Sequence, residues 1–293
     1  MKTAVITDSA SYLDPVVAAK YNITVLPITV IFGSQEYHDG VDISSQEFLK
    51  KLAETEKLPT TAQVTMGQMQ EAFDTLSDKG YDEAICVNLS SGITTFYQNL
   101  VAYSHEVTNI KVYPFDSKIA SAGEADLCLL AAKMAENGAN ADTIIPKLEQ
   151  LRDSIHVSLV VDSLDHLQRT GRISNTSAFF GNLLKIKPIL TFDKNGKIVP
   201  EAKERTMKQA LQHITDNINK TKFDQPMRIS VVDANNPELS QSWVIAFREH
   251  FPQASISTYQ ISPAITVHTG DKAMGVFGIW TGINLASSLN KSE

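Results

Sequence analysis

Four apolar runs of this chain end in an acid or an amide with a hydroxyl close behind. They are Ile6-Thr7-Asp8-Ser9, Val87-Asn88-Leu89-Ser90-Ser91-Gly92, Phe115-Asp116-Ser117 and Val161-Asp162-Ser163. Such residues commonly cap the helix that follows a strand. Taken together they also outline a crevice for an anion, because hydroxyls and helix N-termini aim donors at the same space. Two further loops are rich in hydroxyls, Leu58-Pro59-Thr60-Thr61-Ala62-Gln63-Val64-Thr65 and Leu89-Ser90-Ser91-Gly92-Ile93-Thr94-Thr95-Phe96. Neither contains a basic residue or the GxxxxGK[ST] spacing of a phosphate loop. Donors of this kind suit a single carboxylate better than a triphosphate.

The seven histidines are scattered, with no HExxH pair and no His/Cys cluster of zinc spacing. No metal site is expected. His268 stands apart because it closes the apolar run Ile265-Thr266-Val267-His268, read as a strand. The Thr269-Gly270 that follows allows close backbone approach to a ligand. The basic segment Leu167–Ser174, with Arg169 and Arg172, leads into Ser177–Leu190, the most apolar long stretch of the chain. That stretch reads either as a buried helix and strand or as the wall of an alkyl site with an arginine at its mouth. Lys203, Arg205 and Lys208 form another basic group, for which plain surface charge is the simpler reading.

The elements that must position these residues alternate. Ala4–Thr7, Ile23–Phe32, Ala84–Leu89 and Ile110–Phe115 read as strands. Helical periodicity runs through Tyr12–Tyr21, Gln46–Glu54, Gly67–Lys79, Thr95–Val107 and Gly123–Asn137. Ser44-Ser45-Gln46-Glu47 and Thr65-Met66-Gly67-Gln68 have capping-box spacing. Alternation of this kind predicts a mostly parallel sheet covered by helices. The second half changes character. Val157–Val161, Ile186–Phe192, Lys197–Pro200, Arg228–Val232, Ile256–Ile261 and Met274–Trp280 read as strands. Asp193-Lys194-Asn195-Gly196 is a strong hairpin signal, so the second sheet should be mixed. The expected division is an N-terminal α/β domain over 1–152 and a C-terminal α/β domain over 153–293, joined by a short linker near Leu151–His156.

The 293 residues suffice for two domains, and 43% hydrophobic with 20% charged residues is a globular balance. A net charge of −7 disfavours nucleic acid and anionic membrane surfaces as partners. The longest apolar runs are too short to span a bilayer, so no stable membrane insertion is expected. The N-terminus runs directly into a strand pattern without a signal-peptide core, which makes the cytoplasm the expected location. Cys86 and Cys128 lack CxxC spacing and read as reduced core thiols.

These residues together resemble the DegV family of bacterial fatty-acid-binding proteins, over nearly the whole chain. The resemblance is carried by Thr7-Asp8-Ser9-Ala10-Ser11-Tyr12-Leu13, Pro59-Thr60-Thr61-Ala62-Gln63, Leu89-Ser90-Ser91-Gly92-Ile93 and Phe115-Asp116-Ser117-Lys118. Gly171-Arg172-Ile173-Ser174, Leu184-Lys185-Ile186-Lys187-Pro188-Ile189-Leu190 and His268-Thr269-Gly270 complete it. It implies two α/β domains with one long-chain fatty acid held between them and no other cofactor. It further implies that Thr61 and Thr94 hold the carboxylate, with Thr60, Ser91, His268 and Arg172 around it. The implied role is that of a lipid-binding subunit without catalytic residues, which shields the acyl chain and presents the carboxylate to a fatty acid kinase. Arg205, with Lys203, would face that kinase. The protein would act as a monomer. This chain has Ala62 where the family commonly has Ser, Thr94 where it has Ser, and Thr95 where it has Gly.

Two other readings compete. One is a serine hydrolase with Ser91 as nucleophile and His268 as base, against which stands the absence of a GxSxG elbow. The other is a signalling module for a small polar ligand.

Overall fold

The computed structural model describes residues 1–173, 186–220 and 227–279. The first part of Ser177–Leu190, together with Ser174 and Trp280, lies outside the described residues. Two compact units emerge. One comprises Met1–Asp153 with Lys194–Gly196 and Ser262–Ala264, and the other comprises the remaining residues from Ser154 onward.

The first unit is built on a parallel sheet in the order β2-β1-β6-β7, formed by β1 (Thr3–Asp8), β2 (Ile23–Leu26), β6 (Glu83–Asn88) and β7 (Lys111–Asp116). β1 and β6 are buried at every position, as strands covered on both faces must be. Helix α5 (Ser121–Glu136) packs on β1 and β6, and on α6 (Ala141–Arg152). All residues from Ser121 to Ala132 are buried, so this helix is covered around most of its circumference rather than along one stripe, with Glu124 and Asp126 among the covered residues.

The expected long strand Ile23–Phe32 is in fact two. Pro27 supplies no N–H for a ladder, and the chain turns there. β2 joins the parallel sheet, while β3 (Thr29–Phe32) leaves it to pair with β4 (Gln35–His38) and β5 (Thr60–Ala62) in a separate antiparallel sheet. Helices α1 (Pro15–Lys20), α2 (Ser45–Glu54), α3 (Met66–Asp78) and α4 (Phe96–Ser104) complete the unit. Both capping boxes form. Ser44 and Glu47, and Thr65 and Gln68, exchange backbone and side-chain bonds at the starts of α2 and α3.

The second unit holds a six-stranded mixed sheet in the order β10-β9-β8-β13-β11-β12. Its strands are β8 (Ile155–Val160), β9 (Lys187–Phe192), β10 (Ile198–Glu204), β11 (Arg228–Asp233), β12 (Ser255–Gln260) and β13 (Met274–Ile279). β11 and β12 run parallel and the other neighbours antiparallel. The hairpin forms where Asn-Gly predicted it, closed by Asp193 N–H to Lys197 O at 2.9 Å with Gly196 at φ +73. Helix α8 (Met207–Lys220) covers β9 and β10, and α9 (Pro237–His250) covers β11 and β12. Trp243, Phe247, Ile214, Ile229, Val231 and Met274 fill the core between sheet and helices. Helix α7 (Asp165–Arg169) follows β8.

Ile265–His268 is not a strand but part of helix α10 (Pro263–Thr269). A four-residue apolar run cannot distinguish a buried strand from a buried helix turn. Pro263 at the first helical position and Gly270 at φ +79 just past the end were the better signals. Among the described residues, no helix is long and apolar enough to cross a membrane.

Candidate functional site

The parallel sheet has one topological switch point. The chain leaves β1 for β2 on one side and returns through β6 on the other. In open α/β sheets, ligands bind beyond the carboxyl ends of the strands at this point. The residues there are Asp8-Ser9 after β1 and Asn88-Leu89-Ser90-Ser91 after β6, with Asp116 at the end of β7 beside Asn88.

Buried acids hold these loops. Asp8 accepts from Ala10 N at 3.0 Å and Leu89 N at 3.2 Å, so one carboxylate ties the ends of β1 and β6 together. Burial pushes the Asp8 carboxyl up to about 6 even though both amides oppose the rise. Asp39, in the turn after β4, accepts from the Ser9 hydroxyl at 2.9 Å and from Ala264 N at 3.3 Å. Its carboxyl is likewise raised to about 6, first by burial. Glu124 on α5 accepts from the Thr7 hydroxyl at 3.0 Å, while its Oε2 is buried with no hydrogen-bond partner among the described residues. Burial, and then the neighbouring Asp8, raise the Glu124 carboxyl well above the ordinary range. Burial in this setting disfavours the charged form of the carboxyl.

The Ser-Ser-Gly loop is anchored from two sides. The Ser90 hydroxyl donates to Gly196 O at 2.7 Å. The Ser91 amide and hydroxyl both donate to Asp116, at 3.0 and 2.6 Å, and Lys118 N joins the same carboxylate at 3.1 Å. Ile93 N and Thr94 N return to Ser90 O, which makes the loop a tight turn opening α4. A Ser91 hydroxyl directed at a carboxylate fits an anchored loop better than an activated nucleophile.

Thr94 is half-buried beside that turn, and its hydroxyl accepts from Phe96 N at 3.3 Å. Thr61 is half-buried at the centre of β5, opposite Val30, and Thr60 is exposed opposite Ile31. These threonines therefore lie on a short strand rather than in the loop that their sequence implied. The Thr95 hydroxyl reaches Gln63 at 3.3 Å, linking the two hydroxyl-rich segments.

The remaining polar candidates belong to the second unit. His268 is in the last turn of α10, and Arg172 follows the turn that ends α7. Burial, then repulsion from Arg172 and His166, pushes the His268 imidazole down to about 3, so it is neutral at physiological pH. Burial also lowers Arg172, whose guanidinium donates to Thr170 O at 3.2 Å. Lys203 on β10 and Arg205 just beyond it are exposed.

In the first unit the Thr95–Gln63 bond links the segment that bears Thr94 to the one that bears Thr61, and in the second Arg172 lies near enough to His268 to oppose its protonation. Sequence reasoning named Asp8 and Asp116 only as strand ends and missed Asp39, Glu124 and His166. Asp39-Gly40 carried a turn signal; nothing local marked Glu124 or His166. Among the described residues, no group of three or more His, Cys, Asp or Glu is arranged to hold a metal ion. Cys86 and Cys128 are free and buried.

A family model described as "Uncharacterised protein, DegV family" matches residues 2–280. Protein DegV of Bacillus subtilis is 34% identical over 278 residues, covering 94% of this chain and 98% of the relative. The crystal structure of DegV from B. subtilis, described as a fatty acid binding protein, superposes with a TM-score of 0.88 at 33% identity, over 96% of this chain and all of that one. The structure of a fatty acid binding DegV family protein from Streptococcus agalactiae gives a TM-score of 0.89 at 28% identity, over 96% and 99%.

Proposed function

The chain belongs to the DegV family, and on that premise we propose that it binds one long-chain fatty acid, shields the acyl chain and presents the carboxylate to a fatty acid kinase. The N-terminal domain, 1–152, supplies carboxylate-binding hydroxyls from Thr61, Thr94 and Thr60, with Ser91 in the polar network around the head group. The C-terminal domain, 153–293, supplies His268, Arg172 and the acyl-chain wall, with Arg205 and Lys203 on the surface that meets the kinase. The chain itself performs no chemistry and works as a cytoplasmic monomer.

One observation carries this reading most of the way. The switch point of the parallel sheet is lined by hydroxyls on loops fixed by buried acids, in a chain that matches fatty-acid-binding relatives over nearly their full length. The absence of a basic phosphate loop from the hydroxyl-rich segments fits a single carboxylate. The neutral His268 supports it too, since an uncharged imidazole offers an N–H without adding a buried cation. The physical balance is favourable. A sixteen-carbon tail gains about 0.8 kcal/mol per buried CH₂, on the order of 10 kcal/mol in all, so the head group need only set orientation.

The experiment is extraction of the purified protein with organic solvent, followed by mass spectrometry. A co-purified fatty acid near one per chain supports the carrier. An empty protein with esterase activity that disappears in Ser91→Ala would replace it with the hydrolase reading.

A further inference from the structure

We propose that His166 is a positioning residue for the head-group site: it clasps the last turn of α10 and so sets where the His268 imidazole points. The inference rests on the reading of His268 as a carboxylate partner and reaches beyond it, to a residue on another element.

Three observations converge on His166. Its Nδ1 lies 3.0 Å from Val267 O. A carbonyl only accepts, so Nδ1 carries the proton and donates. Carbonyls in the last turn of a helix have no intrahelical partner, and a histidine donor is one way to satisfy them. The residue capped in this way is the one directly before His268.

The ring also has a fitted seat. Gly270 ends α10 at φ +79, and a Cβ placed there would lie 3.3 Å from His166 Cδ2 and 3.5 Å from Cγ. The missing side chain lets the imidazole lie flat against the helix end. Any larger residue must push the ring away.

The third observation concerns Arg172. His166 O accepts from both the amide and the hydroxyl of Thr170, at 3.0 and 2.7 Å, and Arg172 N returns to Leu167 O at 2.8 Å. His166 and Arg172 are therefore parts of one rigid turn. A clasp between His166 and Val267 fixes the segment bearing Arg172 against the helix bearing His268. After burial, which is the largest cause, Arg172 and His166 are the two groups that disfavour protonation of His268.

The test uses the full chain with ¹⁵N-labelled histidine and radiolabelled palmitate. In the parent, the His268 ring should keep the shifts of neutral imidazole to well below pH 5. His166→Ala should let the ring titrate nearer its ordinary value of about 6.5. The same variant should weaken palmitate binding by about five- to tenfold, the worth of one hydrogen bond. His166→Asn keeps an N–H for Val267 O and should recover most of both properties. Gly270→Ala leaves His166 in the chain but fills its seat, and should move His268 in the same direction as His166→Ala. This variant keeps the test available if His166→Ala does not fold. Unchanged titration of His268 in Gly270→Ala and His166→Ala overturns the proposal. If His268 responds as expected while palmitate binding is indifferent even to His268→Ala, His166 is confirmed as its positioning residue. It is then the carboxylate role of His268 that fails.

Discussion

Ser91 and Asp116 are joined twice, through the Ser91 amide at 3.0 Å and its hydroxyl at 2.6 Å. A carboxylate at the end of β7 thereby sets the conformation of the loop that follows β6. Lys118 N completes the grip on Asp116 Oδ1, and Arg152 donates to Asp116 O at 3.1 Å. The loop that carries Ser91 and Thr94 is fixed by the protein before any ligand arrives, which lowers the ordering cost of binding.

Asp116→Ala should therefore loosen this loop. Three donors lose their acceptor, at a cost of about 1–3 kcal/mol in all, since the site is only half-buried. The denaturant midpoint should fall, and amide exchange at Ser91 and Lys118 should accelerate more than exchange in β1. Equal acceleration across the sheet would mean that Asp116 supports the whole unit rather than the loop.

Gly196→Ala makes a sharper demand. A Cβ there would lie 2.1 Å from Ser90 Oγ, and the backbone sits at φ +73. Left-handed strain and overpacking together should cost about 2–4 kcal/mol. Pairing it with Ser90→Gly should relieve the clash with Ser90 but neither the backbone strain nor the close approach to Lys118 Cα at 3.1 Å. A variant as stable as the parent would show that the Ser90 contact is dispensable.

The buried acids set a pH dependence with a definite sign. Asp8 and Asp39 titrate near 6 when folded, above their ordinary value of 3.8. Between those values the folded state binds more protons than the unfolded state, so stability falls as pH rises. Their contribution is fullest below about pH 4 and is lost through about pH 6, by up to about 3 kcal/mol each. Asp39→Asn keeps an acceptor for Ser9 and should flatten this slope in chemical denaturation across pH 4–7. An unchanged slope would show that Asp39 does not titrate in the folded state within this range.

Glu124→Gln tests the same logic at a group raised further. Glutamine preserves the acceptor for Thr7 and cannot ionise. Because the Glu124 carboxyl is raised by burial and then by Asp8, the parent loses stability as pH climbs toward that higher value, and the variant does not. The variant should gain on the parent steadily as pH rises above the ordinary carboxylate range in denaturant titrations. A gap that stays constant with pH would contradict the assignment.

Much of the fold was legible because its signals are local. Continuous apolar runs marked β1 and β6, Asn-Gly marked the hairpin, and Ser44–Glu47 and Thr65–Gln68 marked helix starts. The errors came where a local signal was ambiguous. Pro27 divided what read as one strand, and Ile265–His268 had strand-like composition in a helix framed by Pro263 and Gly270. The candidate site was read from hydroxyl-rich strand ends. What positions it was not legible, since Asp39 reaches Ser9 across 30 residues and Ser91 reaches Asp116 across 25. His166 meets Val267 across 101 residues, and no spacing within one element encodes such a meeting.

Equilibrium binding of radiolabelled palmitate to the delipidated full chain tests the central claim most directly, with the Thr61→Ala/Thr94→Ala double variant alongside. The account predicts saturable binding of one palmitate per chain. In the double variant binding should weaken by about a hundredfold or more, as two charge-assisted hydrogen bonds of about 1.5 kcal/mol or more each are lost. Turnover with a fatty acid kinase should fall further, because the head group loses its orientation. Palmitate uptake that never saturates, or that saturates identically in parent and double variant, would contradict it.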